Sequence, residues 1–377
     1  TKYLALRGHK ITFVTMSDNS EQDYSEFEKY CSLKIVKKDT GNKISGIVQN
    51  ILSDVPYTHS KYQSAEMLDV VDNELTREKY DIVHLDHLHM SYYGSYIKKN
   101  YNIPVVLREH NYETLIWERL KDREKNIIKK IFFSSQYSKI EKYEALECRK
   151  FDNCMMVTEA DKKSLLQKDS SVPVSTIPAG VDLDYFSVTG GKIKQNSLLF
   201  IGSLDWFPNL DAFRWFYSDV FPEIKKRAPE VTLTVIGKNP PDEVKNIQDK
   251  NVRVLGMVDD VRPHFAEANV CVVPLRIGGG MRIKILEMLA MKKALVSTQI
   301  GAEGIDVLNG KHLLVADKPL MIADAVCRLF NDKSLCESLG EEGYRFVKEN
   351  YSWEMIAEKI EQLYLKLIDE YNEKQKN

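Results

Sequence analysis

Three glycines, an arginine, a lysine and a glutamate fall within the stretch Gly278-Gly-Gly-Met-Arg-Ile-Lys-Ile-Leu-Glu287. An apolar run, Asn269-Val-Cys-Val-Val-Pro274, precedes it, and a helical pattern begins near Arg282. A helix start leaves backbone N–H groups unpaired and carries a partial positive charge. Glycines let a backbone come close to a ligand. Arg282 and Lys284 stand where the helix dipole disfavours cations, at ~0.3–1 kcal/mol each. A bound anion offsets that cost, and a diphosphate is a natural fit. The competing reading is a tight turn with two solvated bases, since the pattern is not the Walker phosphate loop.

Glu287 sharpens the choice. Its neighbours Ile283, Ile285, Leu286, Met288, Leu289 and Ala290 make nearly the whole helix apolar, so the helix should be buried. A buried carboxylate is costly without a partner. It can pair with Lys284 one turn earlier, or accept hydrogen bonds from ligand hydroxyls such as a ribose diol. His110 follows an expected strand at a carboxyl end, where site residues of α/β sheets belong. His84, His87 and His89 cluster after another strand. They suggest a metal site, but no accompanying carboxylate-and-cysteine set completes one, so no metal is expected.

The elements that must position these residues read as alternating strands and helices. Strands are expected at Ile11–Thr15, Leu33–Val36, Ile82–Leu85, Val105–Arg108 and Asn153–Val157, with helices at Tyr62–Arg77 and from about Glu113 to Arg149. A second series has strands at Ser197–Ile201, Thr232–Ile236, Val252–Leu255, Val270–Val273, Ala294–Ser297 and His312–Val315. Its helices are Asn209–Ser218, Val261–Glu267 and Ile283–Met291. The alternation predicts βαβ units and parallel sheets. A Pro/Gly-bearing stretch, Ile177–Phe186 and then Gly190–Asn196, separates the series. An amphipathic helix is expected over Trp353–Ile368.

With 377 residues, two domains are expected. A net charge of −2 argues against bulk attraction to nucleic acid. The six scattered cysteines form no CxxC pair and suit a reducing, cytoplasmic setting. No apolar stretch approaches the roughly 20 residues that span a bilayer, and no signal peptide is visible. Thr1–Gly8 reads as the end of a helix, from which a missing preceding element is expected.

Several motifs share an order with a known family. They are Asp81-Ile-Val-His84, Leu107-Arg-Glu-His-Asn111, Ile177-Pro-Ala-Gly-Val-Asp182 with Phe186, and Phe200-Ile-Gly-Ser203. Gly256-Met-Val-Asp-Asp260, Pro274–Ala290, Leu295–Ile305 and Tyr351-Ser-Trp353 follow. The chain resembles the retaining glycosyltransferases of family four, in a bacterial branch that builds polysaccharides. The resemblance implies the GT-B fold: two Rossmann-like, doubly wound domains facing a cleft, here with the N-terminal strand and glycine loop apparently missing. Residues 1–180 would form the acceptor-side domain and 181–350 the nucleotide-sugar domain, with 351–377 a helix crossing back to the first.

The implied reaction moves a sugar from a nucleoside diphosphate sugar to an acceptor hydroxyl, with retention and no cofactor. The acceptor would be a glycan or a lipid-linked molecule. Gly202, Ser203, Gly279 and Gly280 would give backbone access to the phosphates. Arg282 and Lys284 would neutralise the leaving group, Glu287 would hold the ribose, Met257 and Val258 would border the base, and His110 would face the sugar. The apolar and basic surface of Ile127, Ile128, Ile131, Phe132 and Phe133 beside Lys129 and Lys130 raises peripheral contact with the inner face of a membrane, against an ordinary solvated helix. Two departures stand out. Gly279 occupies the place of a first glutamate eight positions before Glu287, and Leu204–Asn209 carries no base. The rival readings are a nucleotide-sugar epimerase of the same fold and a non-catalytic nucleotide-sugar binder.

Overall fold

The computed structural model describes residues 1–18, 23–187 and 190–376. The chain divides into two compact units, Thr1–Pro178 with Glu354–Asn377, and Ala179–Trp353.

In the first unit, β1 (Thr12–Ser17) pairs in parallel with β2 (Ser32–Lys37). A separate parallel sheet runs in the order β3 (Val83–Asp86), β4 (Val105–Glu109), β5 (Asn153–Met156), β6 (Val174–Thr176). All of β4 is buried, which its Val-Val-Leu run suits, because a central parallel strand is covered on both faces. Val14 packs against the core of each sheet, so the two are joined by side chains. Gly8 at φ +95° closes the short Lys2–Leu6 helix.

The helix expected from Glu113 to Arg149 is two helices, Glu113–Arg123 and Ile127–Cys148. The break falls at Asn126, whose side chain accepts from the Lys129 amide at 3.1 Å and caps the second helix. Ser64 similarly caps the helix expected from Tyr62, which starts at Ala65. The strand β6, three residues directly after Pro173, was too short to read. The terminal helix continues past Ile368 to Lys376. It packs within the first unit: Glu361 accepts from Arg7 and pairs with His9, each at 2.8 Å, and Tyr364 bonds His84.

Near β4 lie two acids, Glu144 buried and Glu113 partly so. Glu144 accepts from the Glu113 and Thr114 amides at 2.7 and 2.9 Å, capping the Glu113–Arg123 helix. Burial pushes the Glu113 carboxyl up to about 7, and burial followed by the nearby Glu113 charge pushes Glu144 up as well. An acid that holds its proton in the folded chain and loses it near pH 4.5 when unfolded stabilises the fold at low pH. That contribution fades as pH rises through the folded value. The histidines act in the opposite sense: burial lowers His84 and His89 to about 4, so their contribution is lost only as pH falls below 6.5. The urea midpoint is therefore expected to fall from pH 6.5 to 8.5, and Glu113→Gln should flatten that slope.

The second unit holds a six-stranded, all-parallel sheet in the order β12 (Leu314–Val315), β11 (Ala294–Ser297), β10 (Val270–Val273), β7 (Ser197–Ile201), β8 (Thr232–Ile236), β9 (Val252–Gly256). The chain builds outward from β7 in one direction and from β10 in the other. The order thus reverses between β7 and β10, and in such sheets ligands bind at the carboxyl ends beside the reversal. The helix expected at Asn209–Ser218 starts earlier, at Phe207, with Pro208 in its first turn, and loosens into a π turn at Phe216–Val220.

Candidate functional site

The loops after β7 and β10 carry the residues expected from the sequence to meet phosphate. After β10, Gly278 and Gly280 take φ +143° and +68°, conformations that favour glycine. Arg282 precedes the Ile283–Ala290 helix and turns its guanidinium onto the loop, donating to the Gly279 carbonyl and to that of Gly280 at 3.0 Å. Thr298, after β11, donates to the Leu275 carbonyl and props the same segment.

Lys284 reaches across to the end of β7. Its ammonium donates to the Ile201 carbonyl at 2.8 Å and to Asn209 Oδ1 at 3.0 Å, which commits two of its three N–H groups. Burial, then the Arg282 charge, lowers its pKa to about 8. Gly202 lies against this pair: a Cβ there would stand 2.8 Å from Asn209 Cγ and 2.9 Å from Lys284 Nζ. Gly237, after β8, is tighter still, since its Cβ would meet the Gly202 carbonyl oxygen at 1.9 Å. Gly237→Ala is therefore expected to destabilise the second unit by about 3 kcal/mol or more, read as a lowered unfolding midpoint. A midpoint equal to the parent's would show that the two loops can part at no cost.

Glu287 projects from the same helix and is half-buried. Burial raises its pKa, and the Lys284 charge only partly opposes this. None of the described residues donates a hydrogen bond or salt bridge to its carboxylate, because Lys284 is engaged elsewhere. Ser203 spends its hydroxyl on Asp205 at 2.5 Å. Met257 is 75% exposed, beyond Gly256 at the end of β9 and two strands from β7.

In the first unit, β3 and β4 end side by side, with Asp86 in register with Arg108. His110 Nε2 lies 2.8 Å from Asp86 Oδ1. Partial desolvation by the surrounding protein disfavours the Asp86 charge although the side chain still reaches solvent, but the hydrogen bond and charge of His110 outweigh it and hold the carboxyl well below its usual range. The His87 ring stacks on His110 at 4.0 Å between centroids, and His89 stacks on His87 at 5.1 Å. His84 instead points into the fold, toward Tyr364.

Residues 1–185 match the family described as Glycosyltransferase Family 4, and residues 195–332 that described as Glycosyl transferases group 1. The chain is a GT-B glycosyltransferase. An uncharacterized 44.6 kDa protein of the cps region of Klebsiella pneumoniae is 26% identical over 299 residues, 75% of this chain and 74% of its own. Sucrose-phosphate synthase from Thermosynechococcus elongatus superposes with a TM-score of 0.72 at 16% identity, covering 98% of this chain and 91% of its own. An Anabaena protein solved in complex with UDP gives 0.66 at 11% identity, covering 94% and 99%.

The structure of the glycosyltransferase gathers Gly202, Ser203, Gly279, Gly280, Arg282, Lys284 and Glu287 around the β7–β10 reversal, and sets Met257 and Val258 apart on β9's loop. His110 stands in the other unit with Asp86. Sequence reasoning missed Asn209 and Asp86. Asn209 is buried in the first turn of a helix whose flanking sequence offered no base. Asp86 sits beside His87 and was overlooked because its partner His110 comes from another strand.

Proposed function

We propose that this glycosyltransferase binds a nucleoside diphosphate sugar on its second unit and moves the sugar, with retention, to an acceptor hydroxyl of a glycan or lipid-linked molecule. The observation that carries the reading is Glu287: a half-buried carboxylate with no donor among the described residues, one turn from Lys284 and beside a glycine loop at a sheet's order reversal. Ribose hydroxyls supply the missing donors. Backbone N–H groups of the loop and the cations Arg282 and Lys284 take the diphosphate, whose charge grows as the glycosidic bond breaks. With no base over 204–209, that charge falls on these two residues. Met257 and Val258 border the base, and Gly202 and Ser203 line the phosphates. His110, held by Asp86, serves the sugar end of the donor.

Residues 1–180 act on the acceptor side and 181–350 on the donor side, with 351–377 completing the first. UDP in the Anabaena neighbour makes uridine nucleotides the first to test. Ile127, Ile128 and Ile131 are 75%, 79% and 66% exposed beside Lys129 and Lys130, which supports a peripheral membrane contact for a lipid-linked acceptor. Phe132 and Phe133 leave that surface and pack on Trp117. No helix among the described residues is long and apolar enough to cross a membrane.

A thermal-shift panel of UDP, GDP and ADP sugars, followed by product analysis, tests the proposal. Stabilisation by one nucleotide class and glycoside formed only with acceptor present are expected. An altered sugar nucleotide formed without acceptor identifies an epimerase, and binding without turnover identifies a binder.

A further inference from the structure

The ends of β3 and β4 place three metal-ligating side chains together: Asp86, His87 and His110 each offer an atom, all within 4.8 Å of one another. We propose that these three residues form a binding site for a divalent transition-metal ion of zinc type. The chemistry fits on several counts. Two imidazoles and one carboxylate are a common zinc set, and three protein ligands leave a fourth coordination position open. Imidazole also selects transition ions over magnesium or calcium, which prefer oxygen ligands.

The scaffold is built for convergence. Parallel pairing of β3 and β4 brings the Asp86 and Arg108 backbones into register, one residue short of Glu109 and two short of His110. The His87 amide donates to the Arg108 carbonyl at 2.9 Å, tying the two strand ends together. His87 takes φ +74° with ψ 147°, a sparsely populated conformation that lays its ring over that of His110, and rotation of one ring about its side-chain torsions turns both nitrogens toward one ion. Asp86 is 49% and His110 32% exposed at the side chain, so an ion can reach them from solvent. Tetrahedral zinc needs ligand atoms ~3.4 Å apart. The Asp86–His110 pair, at 2.8 Å, must open by about half an ångström, and the widest separation in the set, up to 4.8 Å, must close by about 1.4 Å; side-chain torsions allow both.

The site bears on the enzyme through His110. An ion that takes a His110 nitrogen removes that ring from the sugar end of the donor, so zinc should suppress transfer and a chelator should restore it. This consequence rests on the function proposed above, whereas the binding itself does not.

The test uses the whole chain, freed of metal with EDTA and titrated with Zn2+ alone against a competing chromophoric chelator. Co2+ absorption reports the coordination number. His87→Asn keeps a polar side chain at that position without the imidazole, and Asp86→Asn keeps the side-chain volume; circular dichroism confirms that each is folded. One zinc per chain is expected in the parent, with affinity falling at least about tenfold in each variant, and no change in His264→Ala. No zinc binding by the parent, or equal affinity and stoichiometry in parent and both variants, overturns the site. Should a variant fail to fold, the anomalous signal at the zinc edge in crystals of the parent decides: density bridging Asp86, His87 and His110 upholds the site, and zinc bound elsewhere overturns it.

Discussion

Glu287→Gln is expected to weaken the binding of a nucleoside diphosphate by about tenfold. Hydrogen bonds to a charged acceptor contribute ~1.5–3 kcal/mol and neutral ones ~0.5–1.5 kcal/mol. Replacing the carboxylate by an amide thus removes on the order of 1.4 kcal/mol, a tenfold change in affinity. The substitution also turns one acceptor into a donor that faces the ribose hydroxyls. Fold stability should not suffer, because burial already disfavours the Glu287 charge and none of the described residues bonds it. Calorimetric titration of parent and variant with UDP, or with whichever nucleotide the panel selects, gives the comparison. Equal affinities would remove Glu287 from the ribose.

His110→Ala should behave differently. If this ring serves the sugar end of the donor, its loss lowers turnover by roughly 10²–10³-fold, the range for a group that stabilises developing charge. Nucleotide affinity should stay within a factor of two or so, because interactions made only in the transition state do not report on ground-state binding. Asp86→Asn should lie between parent and His110→Ala, since Asp86 acts by holding the imidazole at 2.8 Å. Steady-state turnover and nucleotide affinity measured on one preparation separate the two quantities. Unchanged turnover in His110→Ala would leave the histidine cluster with no part in transfer.

Much of this was legible in the sequence, for identifiable reasons. Short β-branched runs such as Val105-Val-Leu and Val270-Cys-Val-Val became fully buried parallel strands, because only strands covered on both faces tolerate such runs. The glycine loop and the apolar helix carrying Glu287 could be read because few residues fit a backbone at φ +143° or a carboxylate amid aliphatic neighbours. What could not be read depends on partners distant in sequence. Nothing local to Lys284 reveals that its ammonium is held by Ile201 and Asn209. Nothing local to His110 reveals Asp86, which arrives through strand pairing. The break at Asn126 was a local signal that the surrounding helical pattern overrode, although Asn is a strong N-cap residue.

The most direct test of the account is a crystal structure of this chain with a bound nucleoside diphosphate sugar. The account predicts the ribose hydroxyls within hydrogen-bonding distance of the Glu287 carboxylate and the diphosphate against the Gly278–Gly280 loop, with Arg282 swung from the loop carbonyls toward it. A nucleotide bound elsewhere on the second unit, or one that leaves Glu287 and the glycine loop untouched, would contradict it.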